Sequence, residues 1–386
     1  MNTPFICDKY VTGKNFIGRT TDCNILGNLI SQGENVVIYE PPKTGKMSTI
    51  QQTLINLRLS GKQFSAGEFS VLNIRTISSF LTRFGSTLLK IAASTPDGFS
   101  KIIDANLSGT HFNFDRNNYS ETGNVISLGA EPDNHDIAAM MALPYRIAAS
   151  TGQKIYLIID EFQNLDLTED GEKIFKAMEE AMLKAREDKE KDFAYILCGS
   201  MVNAMKSIFE VRKFFYGTIE RVSLSKVDDK VIIEQVIKGF LSNGKVVEKE
   251  LLMGVCKLFD NNLWYINSFV SICDYLSKGY IVETTLLDAL DIMLSANEPR
   301  FMAVINDLTS FQLNLLKAVL DGYTKLSAAD VIAKYELNSS ANVKRLKDAL
   351  VKKEIVTFDE LDNPTVMDPL FKYWITKYFF EQKAEL

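Results

Sequence analysis

Residues 36–48 have the sequence Val36-Val37-Ile38-Tyr39-Glu40-Pro41-Pro42-Lys43-Thr44-Gly45-Lys46-Met47-Ser48. A continuous apolar run, typical of a buried strand, leads into a proline-rich turn, and helical spacing begins at Gly45-Lys46. In a P-loop of this form, backbone N–H groups and the positive end of the helix dipole bind the β-phosphate, and the lysine bridges the β- and γ-phosphates. The stretch therefore predicts a phosphate-binding loop. An ordinary strand–turn–helix with a chance Gly-Lys is the alternative.

Two residues of this loop depart from the pattern G-x-x-x-x-G-K-[ST]. Glu40 replaces the first glycine, which places a carboxylate close to an anionic ligand unless the side chain turns outward. Met47 replaces the hydroxyl residue that normally ligates Mg²⁺. Ser48 could bond a phosphate oxygen, but helical geometry turns it about 100° away from position 47. We therefore predict binding of ATP or ADP and leave open whether Mg²⁺ binds and whether ATP is hydrolysed.

Composition excludes several classes of protein. The chain has 386 residues, which predicts two or three domains, and 46% hydrophobic with 24% charged residues is typical of a globular protein. A net charge of −6 gives no overall basic field for nucleic acid. Five cysteines without metal-type spacing predict reduced thiols, and two histidines supply few metal ligands. Without a leader-like start or an apolar span of about 18 residues, we expect a cytoplasmic protein that does not enter the membrane.

Four further apolar runs predict the other strands of a parallel sheet. These runs are 69–74, 155–161, 193–200 and, as an edge strand, 219–224. Helical spacing predicts helices at residues 46–60, 78–93, 137–151, where Pro144 interrupts or kinks the helix, and 169–189. Alternation of strands and helices favours a doubly wound α/β sheet. Residues 94–135, rich in Gly, Asn, Asp and Ser, predict either a short helix or an irregular insertion.

Polar residues follow two of these predicted strands. Asp160 and Glu161 end one strand, at the edge of the sheet where open α/β folds bind ligands. In a P-loop enzyme the aspartate holds Mg²⁺ through water and the glutamate polarises the attacking water. Ser200 ends the next strand, where it could sense the γ-phosphate or merely cap a helix at Met201–Ile208.

Beyond Lys226 the pattern is helical almost throughout. Four segments predict a helical lid: Val231–Leu241, Glu248–Leu258, Leu263–Leu276 and Thr284–Met293. The remainder has the order of a winged helix, with helices Phe311–Leu320, Ala328–Tyr335 and Ala341–Lys353 followed by wing strands Ile355–Phe358 and Thr365–Met367.

Taken in order, these features resemble the archaeal-type ATPases of the STAND branch of AAA+ proteins, especially the versions from Bacteroides-like bacteria, with a degenerate Walker A motif. The resemblance rests on five places: Phe16-Ile17-Gly18-Arg19, loop residues 41–46, Asp160-Glu161-Phe162-Gln163-Asn164, Gly199-Ser200 with Met205 and Phe209, and Met367-Asp368-Pro369-Leu370-Phe371 with Trp374. It implies a P-loop core over residues 1–225, a helical lid over 226–305 and a winged helix over 306–386.

The resemblance also implies roles for single residues. It places Phe16, Gly18 and Arg19 near the adenine, and Pro42, Lys43, Thr44, Gly45, Lys46, Met47 and Ser48 at the phosphates. It implies Asp160 as the Mg²⁺ residue, with Glu161 and Ser200 as catalytic residues. Relatives also tend to carry an arginine where this chain has Thr218; Arg221 is nearby and could face either way.

Two functions follow from these predictions. The first is a nucleotide-dependent molecular switch, or a pseudo-ATPase variant of it, in which bound ATP fixes the position of the winged helix. The alternative is a winged-helix DNA-binding regulator with a vestigial nucleotide domain. The predicted recognition-type helix carries Lys344, Arg345, Lys347, Lys352 and Lys353. Residues 309–386 hold eleven Lys/Arg and eleven Asp/Glu, so DNA is not favoured. We expect a protein partner or self-association through the lid or winged helix.

Overall fold

A computed structural model of the chain describes residues 3–380, which form two compact units. We call residues 20–40 and 49–224 the sheet unit, because they contain the five-stranded sheet. We call the described parts of 1–19, 41–48 and 225–386 the helical unit. Within residues 3–380, no helix combines the length and the apolar character needed to span a bilayer.

The sheet unit is built on a parallel sheet. Its strands in chain order are β1 (Asn35–Tyr39), β2 (Ser65–Ser70), β3 (Phe112–Asn113), β4 (Ser127–Leu128), β5 (Ile155–Asp160), β6 (Phe193–Gly199) and β7 (Ile219–Arg221). The order in the main sheet is β2-β5-β6-β1-β7, with every neighbouring pair parallel. β1 and β6 are buried along their whole length, which explains their continuous apolar runs. The predicted parallel α/β core is confirmed.

The register brings the carboxyl ends of the central strands to one edge. Tyr39 at the end of β1 pairs with Gly199, and Ile159 pairs with Leu197. The chain therefore leaves β1 toward the P-loop at the edge where β5 and β6 also end.

β2 lies earlier in the chain than the apolar run 69–74 predicts. Its pairing with β5 runs from Ser65 opposite Ile155 to Ser70 opposite Asp160. Val71 and Ile74 are buried, but they lie in the turn that follows, where the Ile74 N–H donates to the Val71 carbonyl. Because β2 is an edge strand, backbone pairing rather than apolar side chains sets its position.

Helices flank the sheet. They are α1 (Thr20–Ser31), α2 (Lys46–Leu59), α3 (Ile77–Ala92), α4 (Pro96–Asn106), α5 (Arg116–Thr122), α6 (Asn134–Thr151), α7 (Gly171–Glu187) and α8 (Val202–Lys206). The insertion at 94–135 is more regular than predicted, since it holds α4, α5 and the antiparallel pair β3–β4. Phe99, Phe114 and Tyr119 pack there with ring centroids 5.6–5.9 Å apart. α6 continues through the buried Pro144, which therefore does not end it.

The helical unit contains the remaining α-helices and strands. These are α9 (Asp229–Ser242), β8 (Val246–Val247), α10 (Lys249–Leu258), α11 (Leu263–Leu276), β9 (Tyr280–Ile281), α12 (Glu283–Asn306), α13 (Ser310–Leu320), α14 (Ala329–Lys334), α15 (Ser340–Lys352), β10 (Val356–Phe358), β11 (Pro364–Val366) and α16 (Pro369–Trp374). α12 extends beyond its predicted end at Met293 because Leu294, Phe301 and Ile305 continue its buried stripe. One hydrophobic core runs from Phe5 through these helices to Ile375.

Candidate functional site

The loop between β1 and α2 closes around one carbonyl group. The Thr44 hydroxyl donates to the Pro41 oxygen at 2.8 Å, and the Lys46 ammonium donates to the same oxygen at 3.0 Å. Lys46 begins α2 and is 8% exposed. Gly45 has a φ of +89°, a conformation that glycine adopts at little cost. The loop thus presents the amino end of a helix and a lysine side chain, the two groups that bind phosphate in a P-loop.

Arg19 joins this loop to Ser225, where the chain re-enters the helical unit. Its Nη1 donates to the Thr44 carbonyl at 2.5 Å, and its Nε donates to the Ser225 carbonyl at 3.0 Å. Gly18 precedes it with a φ of +64°, and a Cβ there would lie 2.7 Å from Cγ1 of Val227. Glycine is therefore required for residues 16–19 to approach Val227 this closely. Phe16 is half-buried, and its N–H donates to the Gly13 carbonyl.

The first turn of α2 contacts the amino-terminal segment. The Ser48 hydroxyl, predicted to be available for a phosphate oxygen, accepts the Val11 N–H at 3.0 Å. Met47 is half-buried beside it. A thioether is a poor ligand for a hard cation such as Mg²⁺, so this turn does not supply the usual metal ligand.

Lys43 rests on an aromatic ring of α11. Its Nζ lies 3.4 Å from the ring centroid of Trp264 and 5.6 Å from that of Tyr265. Asn262 caps α11 by accepting the N–H groups of both aromatic residues. Burial, and then the charge of Arg300, lower the pKa of Lys43. Sequence reasoning did not find this contact, because residues 43 and 264 are far apart in the chain.

A second group of candidate residues lies at the ends of β5 and β6. Oε2 of Glu161 accepts the Ser200 hydroxyl at 2.7 Å and the Gln163 side-chain amide at 2.6 Å. Ser200 is not a helix cap, since Met201 is the N-cap of α8. Asp160 ends β5, and its Oδ1 lies 3.2 Å from the Cys198 sulfur. The structure therefore brings Glu161 and Ser200 into direct contact.

Gln163 also belongs to this group of residues. The sequence places it in a motif with Asp160 and Glu161 but predicts no role for it. It is 3% exposed, and a Cβ at position 199 would lie 2.4 Å from its Oε1. Gly199 thus leaves the room that Gln163 occupies while it donates to Glu161. The signal in the sequence that points to Gln163 is its place in the Asp-Glu-Phe-Gln motif, two residues after Glu161.

The sequence leaves open the directions of the Glu40 and Arg221 side chains, and in the structure both side chains have partners. Oε1 of Glu40 accepts the Leu224 N–H at 3.1 Å, so this carboxylate turns toward the segment that follows β7. Arg221 stacks on the Tyr39 ring at 4.2 Å and pairs with Glu210 at 2.8 Å. Its side chain therefore packs on the last residue of β1.

Two further charged groups bear on alternative functions. In the winged helix, Lys347 pairs with Asp362 at 2.6 Å and Lys353 pairs with Asp307, so part of the basic run is neutralised. In the sheet unit, His111, Asp133 and Asp136 have metal-ligating atoms within 4.8 Å of one another. Asp136 uses both oxygens there: Oδ1 accepts the backbone N–H of His111, and Oδ2 contacts the His111 ring and accepts the N–H of Asp133, the N-cap of α6. This cluster is a helix cap.

Comparisons with known proteins agree with this architecture. Residues 299–377 match a family model described as a probable winged helix domain. A Walker-type ATPase of Pyrococcus abyssi has a TM-score of 0.65 and 13% identity, over 97% of this chain and 99% of that chain. The ORC2 protein of Aeropyrum pernix, in its ADPNP–ADP complexes, has a TM-score of 0.55 and 13% identity, over 96% of this chain and 98% of that chain. None of the curated proteins compared with the chain matches it. The fold is that of a P-loop AAA+ ATPase with a C-terminal winged helix.

Proposed function

We propose that this chain is an ATP-binding molecular switch of the STAND branch of AAA+ proteins, with weak or absent ATP hydrolysis. One observation carries the proposal: loop 41–48 packs as part of the helical unit. Arg19 links the loop to Ser225, and Lys43 links it to Trp264. A ligand that alters this loop must therefore alter contacts with the lid, which is what a nucleotide switch requires.

The residues fit a nucleotide better than they fit a magnesium ion. Lys46 and the amino end of α2 would hold the phosphates, with Phe16, Gly18 and Arg19 near the adenine. Asp160 would be the one magnesium residue of the predicted set, since Met47 offers only a sulfur. Bound Mg²⁺ would neutralise phosphate charge.

Hydrolysis would depend on Glu161, which must orient a water molecule. Its Oε2 already accepts hydrogen bonds from Ser200 and Gln163. The other carboxylate oxygen of Glu161, Oε1, takes part in neither of these two bonds. We therefore infer slow turnover, with Ser200 able to respond to a γ-phosphate through the carboxylate that it holds.

Isothermal titration with ATP and ADP, with and without Mg²⁺, tests the proposal. The full chain and the control Lys62→Ala, an exposed lysine after α2, should bind with similar affinity. Lys46→Ala should bind at least about tenfold more weakly, which is about 1.4 kcal/mol. Little gain from Mg²⁺ and no phosphate release would identify a pseudo-ATPase, whereas turnover that Glu161→Gln abolishes would identify a hydrolysing switch. No binding by the unaltered chain would overturn the proposal.

The proposal includes a protein partner or self-association through the lid or winged helix. In the lid, Tyr275 and Tyr280 are 66% and 77% exposed. Exposed aromatic residues are enriched at protein interfaces. The DNA-binding alternative predicts steeply salt-dependent binding to random duplex DNA, and absence of binding at low salt would remove it.

A further inference from the structure

We propose that Lys43 is a phosphate-responsive residue: it leaves Trp264 for the phosphates of a bound nucleotide, and its departure is transmitted to the winged helix through Tyr265 and Asp368. This inference rests on the proposed function, because it requires nucleotide at loop 41–48. It assigns to Lys43 and Trp264 a regulatory role that the P-loop pattern does not contain.

The first step concerns the weak interaction that holds the Lys43 ammonium in place. Within residues 3–380, its ammonium pairs with no carboxylate in a salt bridge and instead lies on the face of a half-buried indole ring. Its backbone has a φ of +67°, two residues before Gly45 in the same turn. A charge-assisted hydrogen bond to a phosphate is stronger than a cation–π contact at such an accessible site. When an anion binds in the loop, the Lys43 ammonium should therefore move from the Trp264 ring to that anion.

The second step is the fixed position of Trp264. Its indole N–H donates to the Cys7 carbonyl at 2.5 Å, and its backbone N–H donates to Asn262 at 3.0 Å. The ring meets that of Tyr265 edge-on, with centroids 5.1 Å apart. Since the ring is held on two sides, removal of Lys43 changes the electrostatic environment of the ring without freeing it.

The third step connects Tyr265 to the winged helix. The Tyr265 hydroxyl donates to Oδ1 of Asp368 at 2.9 Å, and Arg300 pairs with Oδ2 of the same carboxylate at 2.8 Å. Asp368 is the N-cap of α16, accepting the N–H groups of Leu370 and Phe371. The charges of Arg300 and Asp368 both act on the Lys43 ammonium, in opposite directions. Movement of that ammonium therefore changes the field at the carboxylate that caps α16.

Intrinsic fluorescence offers a direct test, because the chain has two tryptophans, Trp264 and Trp374. In full-length Trp374→Phe, Trp264 is the reporter, and ATP should change its emission with the same midpoint that titration calorimetry gives. Trp264→Phe is the matched control and should show a much smaller change. Lys43→Met, which keeps the length of the side chain but removes the charge, should abolish the response while weakening ATP binding far less than Lys46→Ala. Lys43→Gln repeats the test should the methionine variant not fold.

Hydrogen exchange of residues 370–374 tests transmission to the winged helix. ATP should change protection there at least twofold in the unaltered chain and leave it unchanged in the Lys43 variants. Calorimetric binding with flat Trp264 emission, or with an equal response in Lys43→Met, would overturn this inference and leave the proposed function standing. Absence of calorimetric binding would overturn both.

Discussion

Replacement of Gly18 by alanine should destabilise the helical unit more than an otherwise similar replacement at Gly13. Both glycines have a left-handed φ, +64° at Gly18 and +60° at Gly13, so alanine costs about 1–2 kcal/mol at either site. A Cβ at position 18 would also lie 2.7 Å from Cγ1 of the buried Val227, whereas position 13 has no atom within 4 Å. Overpacking adds about 1–3 kcal/mol, giving about 2–5 kcal/mol for Gly18→Ala.

Urea unfolding followed by tryptophan fluorescence measures this difference, because both tryptophans lie in the helical unit. The change in unfolded-chain entropy is the same for the two replacements and cancels in the comparison. In a Val227→Ala background, Gly18→Ala should cost about as much as Gly13→Ala, since the methyl groups at 2.7 and 3.0 Å are gone and the Cβ at 3.3 Å is the one close neighbour of the three that remains. Equal losses for the two single replacements, or no coupling between positions 18 and 227, would refute the packing argument.

Three further predictions concern hydrogen bonds. Asn35→Leu should lower the free energy of unfolding of the sheet unit by about 2–4 kcal/mol, measured by circular dichroism in urea, because it leaves two buried backbone partners unsatisfied. The Asp136 contact raises the pKa of His111, so stability that is fully present below about pH 6.5 should be lost as pH rises through the raised value. His111→Asn should flatten that dependence in thermal melts between pH 5 and 8, and an unchanged slope would contradict it. Arg19→Lys, which keeps the charge but cannot reach two carbonyls, should weaken ATP binding about tenfold by calorimetry, with Lys14→Ala as the neutral control.

Most of the architecture could be predicted because burial leaves a periodic signal in the sequence. β1, β5 and β6 are central strands, and their apolar runs indicate them directly. β2 was misplaced by several residues because its backbone pairing involves Ser65 and Gly67, which carry no strand-like apolar pattern. The predicted end at Met293 leaves out the C-terminal half of α12, because buried residues are sparse beyond Leu294, where Phe301 and Ile305 continue the stripe.

The site was predictable as a set of residues but not as a set of contacts. Lys46, Asp160 and Glu161 follow from local motifs, whose spacing along the chain is short. The contacts of Lys43 with Trp264 and of Glu161 with Ser200 join residues that are 221 and 39 positions apart. A single sequence contains no local signal for such pairs, because tertiary packing decides them.

The two departures from the P-loop pattern differ in their physical reasons. Glu40 accepts the backbone N–H of Leu224, the last residue of the sheet unit before the chain enters the helical unit. A glycine at position 40 would remove that acceptor, so the carboxylate has a structural role that needs no nucleotide. This bond orients one carboxylate oxygen toward the backbone of Leu224, but it leaves the negative charge of Glu40 in place. Met47 has no comparable compensation as a ligand, since sulfur cannot replace a hydroxyl oxygen on Mg²⁺. Among the residues of the motif, the case against hydrolysis therefore depends on Met47, while neither substitution removes Lys46 or the amino end of α2, the groups proposed to hold the phosphates.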